Sequence, residues 1–241
     1  MSASYGGGTE AVRDVSFVVE AGEAVAVLGA NGAGKTSLFL AMVGVVPLVK
    51  GVIVVDEAEL RPEKETPGGR RTAAAAREEF RRRIGLVFQN PDDQLFMPRI
   101  GDDLAFGPRN MGLAETEVER RLAAALTVLG ITHLRSRSPQ RLSGGEKRLA
   151  AIASVLTMEP SVMLLDEPTA FLDPRSRRAL KTALRGLPHT KLIATHDLPF
   201  AAELCPRALV LKDGLLRAQG PTPDLLGDTA LMEECGLEAI W

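Results

Sequence analysis

Two kinds of apolar pattern divide the chain. Residues 24–28, "AVAVL", form an unbroken apolar run, as expected of a strand buried on both faces. The preceding "VRDVSFVVE" alternates apolar with polar positions, the mark of a partly exposed strand, and Gly22 supplies a turn between the two. A helix is expected from Lys35. Short apolar runs at 52–55, in "IGLVFQ" (84–89), in "SVMLLDEP" (161–168) and in "TKLIATHD" (190–197) predict further strands, and a helix over 175–187 separates the last two. Between 100 and 158 the apolar spacing changes to three and four, as in "TEVERRLAAALTVLGI", which predicts helices. Residues 61–76, "RPEKETPGGRRTAAAA", are polar and rich in Pro and Gly and predict a mobile loop. Strands alternating with helices imply an α/β layered sheet, here with a helical block inserted between Gln89 and Ser161.

Composition narrows the partners rather than the fold. The chain has 241 residues, 45% of them hydrophobic and 25% charged, which suits a soluble domain carrying an inserted subdomain. A formal net charge of −2 offers no global positive field, so no nucleic-acid partner is expected. Cys205 and Cys235 cannot build a disulfide framework; they suit a reducing compartment and the role of small apolar filler. The start, "MSASYGGGTE", has no basic segment followed by an apolar one, so no signal peptide is expected. Residues 36–49, the longest apolar run without charge, are too short for a membrane span and are broken by Pro47. Any membrane link has to come through a partner.

The strongest chemical signal is "GANGAGKTS" at 29–37, which fits GxxxxGK[ST] through Gly29, Gly34, Lys35 and Thr36. It follows a buried strand and opens a helix, the context that makes the pattern specific. Across Gly29, Asn31, Gly32, Ala33 and Gly34 the backbone N–H groups would curl around phosphate oxygens, aided by the helix dipole. Lys35 supplies a point charge for the β- and γ-phosphates, and Thr36, followed by Ser37, offers a hydroxyl to Mg²⁺. In "VMLLDEP" two acids emerge at the carboxyl end of an interior strand, where open α/β sheets bind ligands. Asp166 would hold Mg²⁺ and Glu167 would polarise the attacking water; the plainer reading is that paired acids end a strand and cap the next helix. His196, ending "LIATHD", is read as a γ-phosphate contact against a purely structural imidazole. Gln89 is a neutral amide that could reach Mg²⁺ or the attacking water, or simply bond loop backbone.

A second stretch, "RLSGGEKRL" at 141–149, has Ser143 and Glu146 at capping-box spacing. The box alone accounts for those two but not for Gly144 and Gly145, whose bare backbone suits an incoming anion. One nucleotide already cradled in its own chain leaves no room for a second cradle. A head-to-tail dimer resolves this: the Ser143, Gly144 and Gly145 of each copy meet the nucleotide on the other copy's Lys35 loop.

Taken in order, the phosphate loop, Gln89, "LSGGE", "LLDEP", "FLDP" and "ATHD" resemble the ATP-binding subunit of ABC transporters, from about Tyr5 to near the C-terminus. The resemblance implies a RecA-like P-loop NTPase core sheet with an antiparallel β subdomain and an inserted helical subdomain. In residue numbers it implies one ABC domain: 1–89 and 159–200 for the nucleotide-binding core with its β subdomain, 90–158 for the helical subdomain, and 201–241 for a C-terminal segment. It further implies ATP hydrolysis with ATP and Mg²⁺, a second ATPase subunit, most simply in a homodimer, and a peripheral position on the cytoplasmic face of the membrane. Asp173 of "FLDP" matches the loop that crosses the dimer interface, and Tyr5 is the candidate adenine-stacking residue, against a disordered terminal tyrosine. "VFQNPDDQLF", "DDLAFGPRNMGL" and "IATHDLPFAAELCPRALVL" are similar to the energy-coupling-factor branch, nearest to the ATPases of cobalt and nickel uptake. Vitamin-uptake relatives in that branch and soluble non-transport ATPases are the alternatives.

What the branch implies for partners is integral membrane energy-coupling and substrate-binding proteins. "NPDDQLF" would meet them with acids at the rim and Leu95 and Phe96 as apolar anchors. Four departures from the family pattern stand out: Glu146 where glutamine is usual, Lys-Thr-Ser where Lys-Ser-Thr is commoner, a polar loop over 61–76 longer than usual, and a short start. Relatives carry a further strand before the stacking aromatic, so the adenine platform is expected to be frayed or the given start truncated.

Overall fold

The computed structural model describes residues 1–6, 10–63 and 69–239. In chain order the first elements are β1 (Ser2–Ser4), β2 (Glu10–Val12), β3 (Ala24–Leu28), α1 (Lys35–Met42), β4 (Leu48–Lys50), β5 (Ile53–Val55) and β6 (Ala58–Leu60). Next come α2 (Gly69–Arg83), β7 (Ile84–Val87), α3 (Ile100–Asn110), α4 (Glu115–Val128) and α5 (Gly144–Leu156). The rest are β8 (Val162–Asp166), α6 (Pro174–Gly186), β9 (Thr190–Thr195), α7 (Leu198–Leu204), β10 (Arg207–Lys212), β11 (Leu215–Pro221), α8 (Thr222–Gly227) and α9 (Thr229–Glu234).

Contacts gather these elements into two compact units. Met1–Leu86, Ser161–Asp166 and His189–Trp241 form the first, and Val87–Pro160 with Glu167–Pro188 form the second. The first is organised by a six-stranded sheet in the order β11-β10-β3-β9-β8-β7. The pairs β10–β3, β3–β9 and β9–β8 are parallel, and β11 closes one side antiparallel to β10. Val25 to Leu28 and Met163 to Leu165 lose all solvent contact, which is why these strands read as solid apolar runs rather than alternating ones. Small antiparallel sheets, β2-β1-β4 and β5-β6, supply the expected β subdomain.

Two expectations need correction. Residues 13–20 keep alternating exposure but belong to no strand ladder. The predicted loop over 61–76 is helical from Gly69 onward, where α2 begins; residues 64–68 lie outside the described residues. Composition misled at this point because "PGG" punctuates the start, whereas alanines, the best helix formers, follow it. Glu78–Arg82 and Glu79–Arg83 pair at i,i+4 on the outer face, while Phe80 is fully buried in the core of the first unit.

In the second unit α3, α4 and α5 pack through Leu104, Val118, Leu122, Leu126 and Ile152, all buried, and α6 packs on α5. Both cysteines are buried, and burial pushes the Cys205 thiol up to about 12.

The helical assignment of α2 predicts two separable costs in urea denaturation. Exposed Ala75→Gly lowers stability by about 1 kcal/mol, as in a helix interior, and Phe80→Ala by about 3–5 kcal/mol. A surface loop would register neither.

Candidate functional site

Three parallel neighbours bring their carboxyl ends to one edge of the central sheet. Leu28 of β3 pairs with Thr195 of β9, and Asp166 of β8 with Ala194 of β9, so residues 29–36, His196 and Asp166 leave the sheet side by side. This is the edge at which open α/β sheets hold ligands. His196 and Thr36 are exposed there, whereas Asp166 is only 4% exposed.

The loop after β3 is built on glycine for two different reasons. A Cβ on Gly29 would lie 2.6 Å from the Leu211 carbonyl oxygen and 2.8 Å from the Ala33 Cβ, so no side chain fits. Gly32 and Gly34 instead take left-handed backbone, with φ of 83° and 99°. Between them the Ala33 N–H donates to the Ala30 carbonyl at 3.1 Å, with Asn31 exposed at the bend. Lys35 is buried, and its ammonium donates to the carbonyls of Gly29 at 2.7 Å and Ala30 at 3.3 Å. Thr36 Oγ1 donates to Asp166 Oδ2 at 2.7 Å. Beside it, the hydroxyls of Ser37 and Tyr5 lie 3.1 Å apart, which sets the chain's single tyrosine against the start of α1, still 62% exposed.

The donor set fits a magnesium nucleotide. A hydroxyl and a buried carboxylate in contact are hard oxygen ligands of the kind Mg²⁺ takes, and a glycine turn opening a helix suits phosphate.

The remaining predicted residues belong to the second unit. Glu167, next after Asp166, is buried and has left-handed backbone with φ of 42°, a conformation a non-glycine residue holds only under constraint. Gln89 follows β7 and is exposed. Ser143 caps α5 as the spacing predicts: its Oγ accepts the Glu146 N–H at 3.3 Å, and Glu146 Oε2 accepts the Ser143 N–H at 2.8 Å. Its two glycines divide in role. Gly144 has open space where a side chain would be, whereas a Cβ on Gly145 would come within 2.7 Å of the Ser176 Cβ. Asp173 caps α6, accepting the N–H groups of Arg175 and Ser176 at 2.8 and 3.0 Å and the Ser176 hydroxyl at 2.6 Å. Ser176 therefore joins the two segments.

Comparison with known proteins decides the family. Residues 12–170 match the ABC transporter family. The chain belongs to the ABC transporter family. It is 49% identical over 234 residues to an ABC transporter ATP-binding protein of Geobacter sulfurreducens, covering 97% of this chain and 89% of that one. It is 40% identical over 242 residues to the energy-coupling factor transporter ATP-binding protein EcfA of Methanothermobacter thermautotrophicus, covering 98% and 74%. Among solved structures, cbiO1 of Clostridium perfringens, described as part of the ABC transporter complex cbiONQ, superposes with a TM-score of 0.80 at 34% identity, covering 97% and 90%. This chain is thus an ATP-hydrolysing, transport-coupled ABC domain.

Within this ABC domain the structure revises the segment after Gln89. Leu95, expected to anchor a partner, is buried. The exposed aromatics are Phe96 and, unforeseen, Phe106 of α3, which meet edge to face at a centroid distance of 5.0 Å. Asp103 of α3, also missed, accepts the N–H groups of Phe96 and Met97, each at 3.0 Å. Burial raises its pKa above the ordinary carboxylate value. The "DDLAF" pattern carried a signal for it: Asp103 occupies an inward position beside Leu104, where an acid has to be held by hydrogen bonds.

The Ser143 N–H bond holds the Glu146 pKa below its ordinary 4.5. The stabilisation it brings is therefore complete above that value and disappears as pH falls through the lowered one. Glu146→Gln keeps an oxygen that accepts the same N–H, so ATP turnover at neutral pH stays within about twofold. In thermal unfolding, the wild type's advantage over this variant shrinks on acidification.

Proposed function

We propose that the chain is the ATPase of an energy-coupling-factor importer and powers uptake of a divalent metal ion, cobalt or nickel, through separate integral membrane proteins. The observation that carries the chemistry is the Thr36–Asp166 hydrogen bond at the head of the Lys35 loop. The importer role rests on similarity to EcfA and cbiO1 over nearly the whole chain, and the metal on the quoted resemblance to cobalt and nickel uptake ATPases. Among the described residues no helix is long and apolar enough to cross a membrane, in keeping with a peripheral subunit on the cytoplasmic face.

Thr36 and Asp166 would hold the magnesium ion, with Gln89 as the further ligand that the family resemblance implies. Held there, the ion would supply positive charge to offset that of the phosphate oxygens. The backbone of 29–37 cradles the phosphates, Lys35 adds its charge, and Tyr5 stacks on adenine. Glu167 orients the attacking water and takes its proton, while His196 donates to the γ-phosphate. Ser143 and Gly144 reach the γ-phosphate of a second copy, across an interface that also contains Asp173. Support for that interface comes from Gly144, open to space, and from Phe171 in the same segment as Asp173, 98% exposed on left-handed backbone. The exposed Phe96–Phe106 pair serves as the apolar anchor for the membrane protein.

Glu167→Gln retains nucleotide but turns over at least about 100-fold more slowly, and sediments as a dimer in Mg-ATP; a strictly monomeric variant refutes the paired site. Gln89→Ala lowers transporter-driven uptake of radioactive Co²⁺ or Ni²⁺ into cells carrying the intact assembly, and full uptake removes Gln89 from the scheme. Uptake of a labelled vitamin instead of either metal would overturn the metal reading alone.

A further inference from the structure

The segment carrying Gln89 is fastened to α5 by more than packing. Arg148, one turn into α5, is 1% exposed. Its guanidinium donates to two successive carbonyls, Phe88 at 2.8 Å and Gln89 at 2.6 Å. Further along the same face, Gln94 Nε2 donates to the Ala151 carbonyl at 2.8 Å and to Ser154 Oγ at 2.9 Å. The Gln94 Oε1 accepts the Phe88 N–H at 3.1 Å, closing the turn on itself. At the rim Lys147 pairs with Asp92 at 2.6 Å. Positions 148, 151 and 154 repeat every three residues, so the contacts run along one stripe of the helix.

Burial of a guanidinium is costly unless hydrogen bonds hold it, and here the acceptors are the backbone carbonyls of Gln89 and of Phe88 just before it. A planar fork spans two adjacent carbonyls; a lysine ammonium is a point charge that cannot reproduce that span. The helix so fastened is the one that begins at Gly144, directly after Ser143.

We propose that Arg148 is a positioning residue that locks the Phe88–Gln89 backbone to the helix of the Ser143–Gly144 turn, so that the two phosphate-sensing segments move as one body. A shift of the turn toward a partner's nucleotide then carries Gln89 with it, because close-packed, hydrogen-bonded elements transmit displacement instead of absorbing it. This rests on the reading above that Gln89 takes part in hydrolysis.

The test is a double-mutant cycle on Mg-ATP hydrolysis by the full chain. Arg148→Met lowers kcat about tenfold while the KM for ATP moves less than about twofold, since the Lys35 loop is untouched. Arg148→Lys falls between it and the wild type, and serves as the probe should Arg148→Met not fold. In a Gln89→Ala background either change costs less than a further twofold or so, because both act through one group. Unchanged kcat, a parallel rise in KM, or losses that multiply would each overturn the inference. A Gln89→Ala chain with normal kcat would instead remove the catalytic role of Gln89, and this inference with it. Loss in Gln89→Ala with none in the Arg148 variants would sink the inference alone.

Discussion

The hydrogen bond from Thr36 to Asp166 depends on everything that makes the central sheet parallel. It joins the first turn of α1 to the last residue of β8, two points far apart in sequence that meet only because β9 runs between β3 and β8 in matching direction and register. Were the neighbours antiparallel, their carboxyl ends would leave the sheet on opposite edges, and the hydroxyl and the carboxylate could not meet. The burial of β3, β8 and β9 on both faces keeps that register from slipping, so the apolar runs "AVAVL" and "VMLLD" are as much a part of the chemistry as the polar groups at their ends.

What could be seen in the sequence follows from how locally each feature is encoded. The strand–turn–helix around Lys35 was legible because its glycines, lysine and threonine are contiguous and their setting is written on either side. The Ser143 cap was legible for the same reason, as were the strands buried on both faces. The helix α2 was not: Pro and Gly residues cluster at its start, and its inward Phe80 is a single residue in a charged, alanine-rich stretch. Residues 13–20 misled in the opposite direction, since alternation records which side chains face inward but not whether a neighbouring backbone is present to pair. Asp103, Arg148 and Ser176 went unnoticed because their roles lie in partners that reach as far as sixty residues away, and only folding brings those together.

The two glycines after Ser143 illustrate how one motif can carry separate constraints. Gly145 is held small by Ser176 within its own unit, a matter of packing that would persist in a chain with no nucleotide at all. Among the described residues nothing constrains Gly144 in that way. Read only as a motif, the pair looks redundant; read as geometry, one glycine admits a neighbouring helix and the other leaves its backbone bare. The same Ser176 also bonds Asp173, so the segment from "FLDP" and the start of α5 are adjusted to one another through a single hydroxyl.

Burial leaves the Cys205 sulfur a poor nucleophile, with its ionisation pushed up to about 12, and Cys235 is likewise enclosed and raised above its usual value. A thiol that stays protonated and covered reacts slowly with maleimides and mild oxidants. The chain is in effect a silent background for site-directed labelling. A single cysteine introduced on an exposed position can carry a spin label or fluorophore without first stripping the protein of its own sulfurs.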